Sequence, residues 1–498
     1  MPFDLEEYRR SAEAFVGALD REMYDHYSGQ KPVCDTATVY GRHSGLFTRE
    51  AVAELDRRFA AAKGDEKRRL AYLLAFAVDG YMGAATHDLG DAVANTESEA
   101  TIEVDGETIG FRAAAVVQAN EADRERRARI QAARLAVTVE RLNPLLDRFW
   151  RRCHDLAVGL GYRDYMELYS EVKGVDYLAL RARGQAFLLD TAGLYRRVID
   201  RVARERLGLT LEELSYADLP HLWRAPGYDH VFTAERLVPT LAATLADFGI
   251  DLDAQANVHL DTEVRELKTP RAFCSPVRVP DEIYLVVLPH GGQDDYAALL
   301  HEAGHTEHFA HAGRHLPFEY RHLGDNAVTE AFAFLFDHLL VNRAWLRRHL
   351  GFDDNESFVR FSVVSDLFYL RRYAAKLAYE TELHAQTGPL DDMAEVYRQH
   401  LSEALMIDVP AENYLVDVDP GFYVASYLRA WMLEGALRMM LQDRWGPEWF
   451  RDAEAGAWVK GLWGLGQTFT AEQLLLRNQG GILSTDQVRH LIERVLGR

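Results

Sequence analysis

The chain has 498 residues, 48% of them hydrophobic, with 56 Lys and Arg against 77 Asp and Glu for a formal net charge of −21. That length and apolar content are enough to bury a large core. The acid excess excludes nucleic acid and an anionic membrane surface as principal partners, because both call for a basic patch. It serves solubility or, on a second reading, an acidic cleft that attracts basic peptides or cations.

The three cysteines (Cys34, Cys153, Cys274) are odd in number and widely spaced. That fits a reducing cytoplasm better than a disulfide framework. The stretch MPFDLEEYRR has no basic region followed by an apolar one, and no run of about 18 apolar residues marks a spanning helix. A cytoplasmic location is the expectation. No low-complexity tract, clean linker or fixed-period repeat interrupts the chain. The predicted organisation is one helical body with two closely packed, interleaved lobes: an N-terminal lobe over 1–200 and a catalytic lobe over 201–498.

Taken in chain order, apolar residues at three- and four-residue spacing predict helices over 4–26, 48–64, 66–82, 119–159, 176–206 and 231–248. The Arg- and Glu-rich stretch from Glu121 to Arg152 reads as one long helix with a solvated face. Thr101 to Arg112 (TIEVDGETIGFR) alternates with period two around Asp105-Gly106, a dipeptide suited to a primed turn, and predicts a hairpin. Arg271 to Leu288 (RAFCSPVRVPDEIYLVVL) is rich in β-branched and aromatic residues. Its Pro276 and Pro280 cannot donate to a ladder and so point to an edge strand, with Tyr284 to Leu288 the more regular strand. Gly291-Gly292 closes this region, and a helix is expected to begin near Asp294 or Asp295.

That helix contains His301-Glu302-Ala303-Gly304-His305. A four-residue step turns about 400°, which puts the two imidazoles on one face, one turn apart. They can ligate one Zn²⁺ there. Glu302, about 100° around the axis, lies beside the metal without having to bind it and can carry a proton. The alternative is a helix with histidines on a polar face, but Ala297, Ala298, Leu299 and Leu300 make this one apolar before the motif. Gly304 costs about 1 kcal/mol in a helix interior relative to Ala, which signals close packing.

Two residues compete for the third ligand position. His311 follows His301 at metzincin spacing, but that pattern needs a glycine at 308, where this chain has His308. His308, His311 and His315 are therefore read as helix-end or surface residues. Glu330, in DNAVTEAFAFLFDHLL, lies on a strong predicted helix with Asp325 or Asn326 as N-cap. Its apolar neighbours Ala331, Phe332 and Ala333 make an unpaired carboxylate costly, and a metal would resolve that cost. Pairing with an arginine such as Arg321 is the alternative.

With these residues in hand, the chain resembles the helical gluzincin peptidases: thimet oligopeptidase, oligoendopeptidase F and angiotensin-converting enzyme. HEAGH followed by a glutamate 29 residues after His301 is similar to their ligand spacing. HLPFEYRHLGDNAVTEAF resembles the connection and third-ligand helix of the converting-enzyme branch. LGYRDYMELYSE (Leu160 to Glu171) resembles a segment shared by these families, and TIEVDGETI a hairpin in the N-terminal part of oligoendopeptidase F. The resemblance implies a mainly α fold: a large two-lobed helical body around a deep substrate channel, with a small β-sheet beside the metal-binding helix. It also implies that Ala272, Phe273, Cys274 and Ser275 form the edge strand along which a substrate backbone lies. DPGFYVASYLRAWMLEGAL (Asp419 to Leu437) is similar to a tyrosine-bearing helix that closes over the metal. The resemblance assigns Tyr423, with Tyr427 as alternative, to hydrogen-bond the reacting carbonyl oxygen, although Tyr427 and Trp431 also read as core aromatics. Asn413 stands where the converting-enzyme branch has a histidine, so dipeptide release is not implied.

The expected activity is zinc-dependent hydrolysis of short peptides, with one Zn²⁺ per chain and no nucleic-acid or membrane partner. Three other readings remain at this level. They are a catalytically silent zinc- or peptide-binding protein, a zinc hydrolase acting on a non-peptide amide or ester, and a helical scaffold with an accidental motif.

Overall fold

Helix-forming periodicity and side-chain caps organise most of the chain, which a computed structural model describes for residues 3–386 and 388–497. The Asp4 carboxylate accepts the Glu6 and Glu7 amides at the start of helix Leu5–Tyr27. Asp176 and Gly208 bound helix Tyr177–Leu207, the glycine in the left-handed conformation. The result is a mainly α protein with two small sheets among the described residues. No helix among these residues is long and apolar enough to cross a membrane.

The chain divides into two compact units. One is built from Met1–Val78, Pro226–Arg360 and Ser426–Leu491, the other from Asp79–Ala225, Phe361–Ala425 and Ile492–Arg498. In the second unit, strands β1 (Thr101–Val104) and β2 (Glu107–Gly110) form the expected hairpin. Asp105 and Gly106 both have positive φ, as a primed turn requires. The buried face of the hairpin, Ile102, Val104 and Ile109, packs with Ala114 and Ile130 of the following helices. Arg371 ties this unit together. Its buried guanidinium donates to Leu188 O, Thr191 Oγ1 and Ala404 O.

The single helix expected over 119–159 starts later, at Arg124, and runs on to Gly159 with a π-turn inside it. Asp123 caps a helix over Arg124–Val137, a π-turn occupies Thr138–Leu142, and Asn143–Gly159 follows. Pro144 lies in the first turn of the last segment and has no N–H for the ladder, so the backbone widens just ahead of it.

In the first unit, β3 (Val258–Asp261), β4 (Phe273–Arg278) and β5 (Glu282–Val286) make a sheet of order β3-β5-β4. Central β5 runs parallel to β3 and antiparallel to β4. It begins two residues before the predicted Tyr284 and ends at Val286 rather than Leu288. As Pro276 requires, β4 is an edge strand, and its register is broken between Ser275 and Arg278 around that residue. Helix Gln293–Ala310 follows the sheet and packs against helix Asn326–Asp337.

Those two helices meet backbone to backbone at Gly304. A Cβ there would lie 2.5 Å from Phe332 O and 2.6 Å from Ala333 Cα. The second helix is anchored at its start by Asp325, which caps the Ala327 amide and receives both terminal nitrogens of buried Arg429 at 2.9 and 2.6 Å. Glu472 takes the same guanidinium from the other side at 2.6 Å.

Gly304→Ala therefore lowers the melting temperature. Overpacking of about 1–3 kcal/mol exceeds the about 1 kcal/mol gained in helix propensity. An unchanged or higher melting temperature in a thermal scan would show that the two helices are free to part.

Candidate metal centre

His301 and His305 lie one turn apart on helix Gln293–Ala310, with ring centroids 4.9 Å apart and planes at 80°. Glu330 projects from the facing helix Asn326–Asp337. Its Oε2 lies 3.3 Å from His301 Nε2 and 3.7 Å from His305 Nε2. One atom from each of the three residues falls within 4.8 Å of the others, and it is the only such cluster of three among the described residues.

The opposite ring nitrogens are already engaged. His301 Nδ1 is 2.9 Å from Asp337 Oδ2, and His305 Nδ1 is 2.8 Å from Thr329 Oγ1. With each Nδ1 so engaged, both Nε2 atoms are the ones that face the Glu330 carboxylate. These residues fit the donor set and supporting hydrogen bonds that a two-His, one-carboxylate metal site requires.

The electrostatics carry the same information. Burial lowers the affinity of His301 for a proton, but Asp337 and Glu330 outweigh it and raise its pKa to about 10. Burial dominates at His305 and lowers its pKa to about 4, and it raises that of Glu302 to about 7. Two carboxylates around two imidazoles thus favour one positive charge at this spot. A divalent cation can meet that demand in place of a proton on one ring.

Glu302 is not part of the three-residue cluster. Its Oε2 accepts the Cys274 backbone N–H at 2.9 Å, which joins the motif helix to edge strand β4. Of the other expected strand residues, Ala272 and Ser275 are buried and Phe273 is half-buried. Ser275 Oγ donates to Asp20 O at 2.9 Å.

His311 ends the motif helix, with Nδ1 2.9 Å from Glu307 O, and stays outside the cluster. His315 is exposed, but His308 is not a surface residue. It is fully buried against Phe332, with centroids 4.8 Å apart, because the close approach at Gly304 covers that side of the helix. Arg321 is committed to Glu13 at 2.6 Å, Val279 O and Leu316 O.

Tyr427 is half-buried with its ring 6.2 Å from Phe334, which lies 5.3 Å from the His301 ring. Trp431 is a buried core aromatic against Phe334 and His338. Tyr423, also half-buried, belongs to the other compact unit. Asn413, in the short turn Ala411–Asn413, hydrogen-bonds Tyr216 through its side chain.

Asp337 and Thr329 are the site residues that sequence reasoning overlooked. Asp337 follows Glu330 by seven residues, about two helical turns, and so shares its face. That spacing is the signal that could have found it.

No protein-family model and no curated relative matches the sequence. Solved structures do match its fold. A Bacillus anthracis protein described as an oligoendopeptidase F superposes with a TM-score of 0.61 at 16% identity, covering 96% of this chain and 84% of that one. A second structure described as an oligoendopeptidase F gives a TM-score of 0.63 at 17% identity, covering 96% and 86%. Trypanosoma cruzi metallocarboxypeptidase 1 gives 0.65 at 12% identity and covers 99% of both chains. The chain therefore has the mainly α fold of these peptidases.

Replacing His305 by Ala or Glu330 by Gln abolishes stoichiometric zinc binding, whereas Glu302→Gln retains it, as read by metal analysis of the purified proteins. Asp337→Asn weakens zinc affinity about 10–100-fold. Full zinc content in the Glu330→Gln protein would remove Glu330 from the ligand set.

Proposed function

We propose that this protein is a zinc metallopeptidase that cleaves short peptides in the cytoplasm, with one Zn²⁺ held by His301, His305 and Glu330. The observation that carries this reading is the convergence of both Nε2 atoms on the Glu330 carboxylate, with Glu302 beside them on the same helix. Zinc binding alone does not call for that additional carboxylate. When bound, zinc supplies Lewis acidity toward a carbonyl and toward water.

The remaining steps belong to the protein's own groups. Glu302 accepts a proton from the attacking water and returns it to the departing nitrogen. A peptide laid along Ala272 to Ser275, where the chain enters β4, pairs its backbone there by strand addition, which supplies affinity without fixing side-chain preference. The contact between the Cys274 amide and Glu302 supports this, because it joins that strand to the proton carrier. Tyr423, with Tyr427 as alternative, donates its phenolic hydrogen to the carbonyl oxygen as negative charge develops there. Free cysteines at 34, 153 and 274 support a cytoplasmic setting.

Incubation with a mixed short-peptide library gives cleavage products with the zinc-loaded protein. Glu302→Gln lowers the rate about 10²–10⁴-fold at unchanged zinc content. Chelation removes activity and zinc restores it. A zinc-loaded protein that leaves every peptide intact refutes the peptidase reading and favours a binding role or another amide substrate.

Tyr423→Phe lowers kcat about 10²–10³-fold, and Tyr427→Phe changes it little. The reverse ranking in steady-state kinetics would transfer the donor role to Tyr427.

A further inference from the structure

The two residues before Tyr423 take backbone conformations that most side chains avoid. Gly421 has φ 63° and Phe422 has φ 56°, both in the left-handed region. Glycine enters it freely, but phenylalanine does so only when its surroundings hold it there. Strain of this kind at a non-glycine residue is lost in folding unless something local requires the conformation.

The surroundings of Phe422 are specific. Its ring is 1% exposed and stacks on Tyr177, with centroids 4.2 Å apart and planes at 18°. His384 meets it edge-on at 4.9 Å, and the His384 Nδ1 lies 3.0 Å from Nε2 of buried His154. The Gly421 N–H donates to Tyr165 Oη at 2.9 Å. A Cβ on Gly421 would lie 3.0 Å from the Tyr169 ring, whose hydroxyl donates to Asp79 at 2.9 Å. Upstream, the Asp419 amide donates to buried Glu380 at 3.0 Å, while its carboxylate pairs with Lys376 Nζ at 2.8 Å. All of these groups belong to one compact unit.

The turn is thus gripped on every side within that unit, and the chain leaves it directly into Tyr423, the first residue of helix Tyr423–Trp445. A core phenylalanine could be buried with ordinary dihedrals. Here the ring is clamped while the backbone is strained, so the clamp fixes the direction in which the next residue emerges. We infer that Phe422 is a positioning residue that, held by Tyr177 and His384, fixes the orientation of the Tyr423 side chain for catalysis. This rests on the assignment of Tyr423 as the carbonyl-oxygen donor.

A double-mutant cycle tests it, with Phe422→Gly, which releases both ring and strain, and Tyr423→Phe. Phe422→Gly lowers kcat about 10–100-fold, with KM and zinc content unchanged. In the double variant the loss is no greater than for Tyr423→Phe alone, because Phe422 acts through Tyr423. Losses that multiply, or a Phe422→Gly enzyme with parental kcat, overturn the inference. Phe422→Leu keeps apolar burial without the stacked ring, shows the same kcat loss, and replaces Phe422→Gly if that variant does not fold.

Fluorine NMR of 3-fluorotyrosine at position 423 gives a readout independent of turnover. It shows one sharp resonance in the parent and a shifted or broadened one once Phe422 is replaced, and an unaltered resonance refutes the clamp. If Tyr423→Phe leaves kcat intact, the donor assignment fails, and the fluorine spectrum still decides whether Phe422 orients that side chain.

Discussion

The candidate centre depends on the absence of one methyl group. Because residue 304 has no Cβ, the motif helix and the facing helix approach until backbone touches backbone at Phe332 and Ala333. That approach sets how far Glu330 stands from the two imidazoles. A larger residue would force the helices apart and pull the carboxylate away, while leaving every ligand in place in the sequence. The cost of glycine in a helix is small beside the loss of that geometry. The Asp325–Arg429–Glu472 ion network complements it by holding the start of the second helix.

Charge gives the centre its chemical character. Glu330 and Asp337 hold His301 between two carboxylates, and Glu302, the next residue on the helix, accepts the Cys274 amide. In a site this buried, anions of like sign are tolerated only near a compensating cation. The hydrogen bonds to Asp337 and Thr329 hold both imidazoles with Nε2 toward Glu330.

Much of this was legible in the residues. The i, i+4 histidines, the intervening glutamate and the glycine each carry a local geometric meaning that survives in any helix. The hairpin at Asp105-Gly106 and the edge character of β4 follow equally from what a turn dipeptide and a proline permit. Reasoning from the sequence did less well where burial depends on a distant neighbour. His308 looks polar and terminal in isolation, yet it is enclosed because the facing helix comes close enough to cover it. The π-turn inside the helix expected over 119–159 hangs on Pro144, whose effect on the preceding turn is masked by strong helix formers around it.

By itself, the sequence determined the helical periodicity, the hairpin, the edge strand and a pair of histidines on one helix face, because each is written in spacings of a few residues. Only the tertiary structure decided which carboxylates support that pair, that the Cys274 amide holds Glu302, and that Phe422 is strained within an aromatic clamp. Those relations join residues dozens to hundreds of positions apart. No local propensity encodes them, since their geometry arises only when the helices pack.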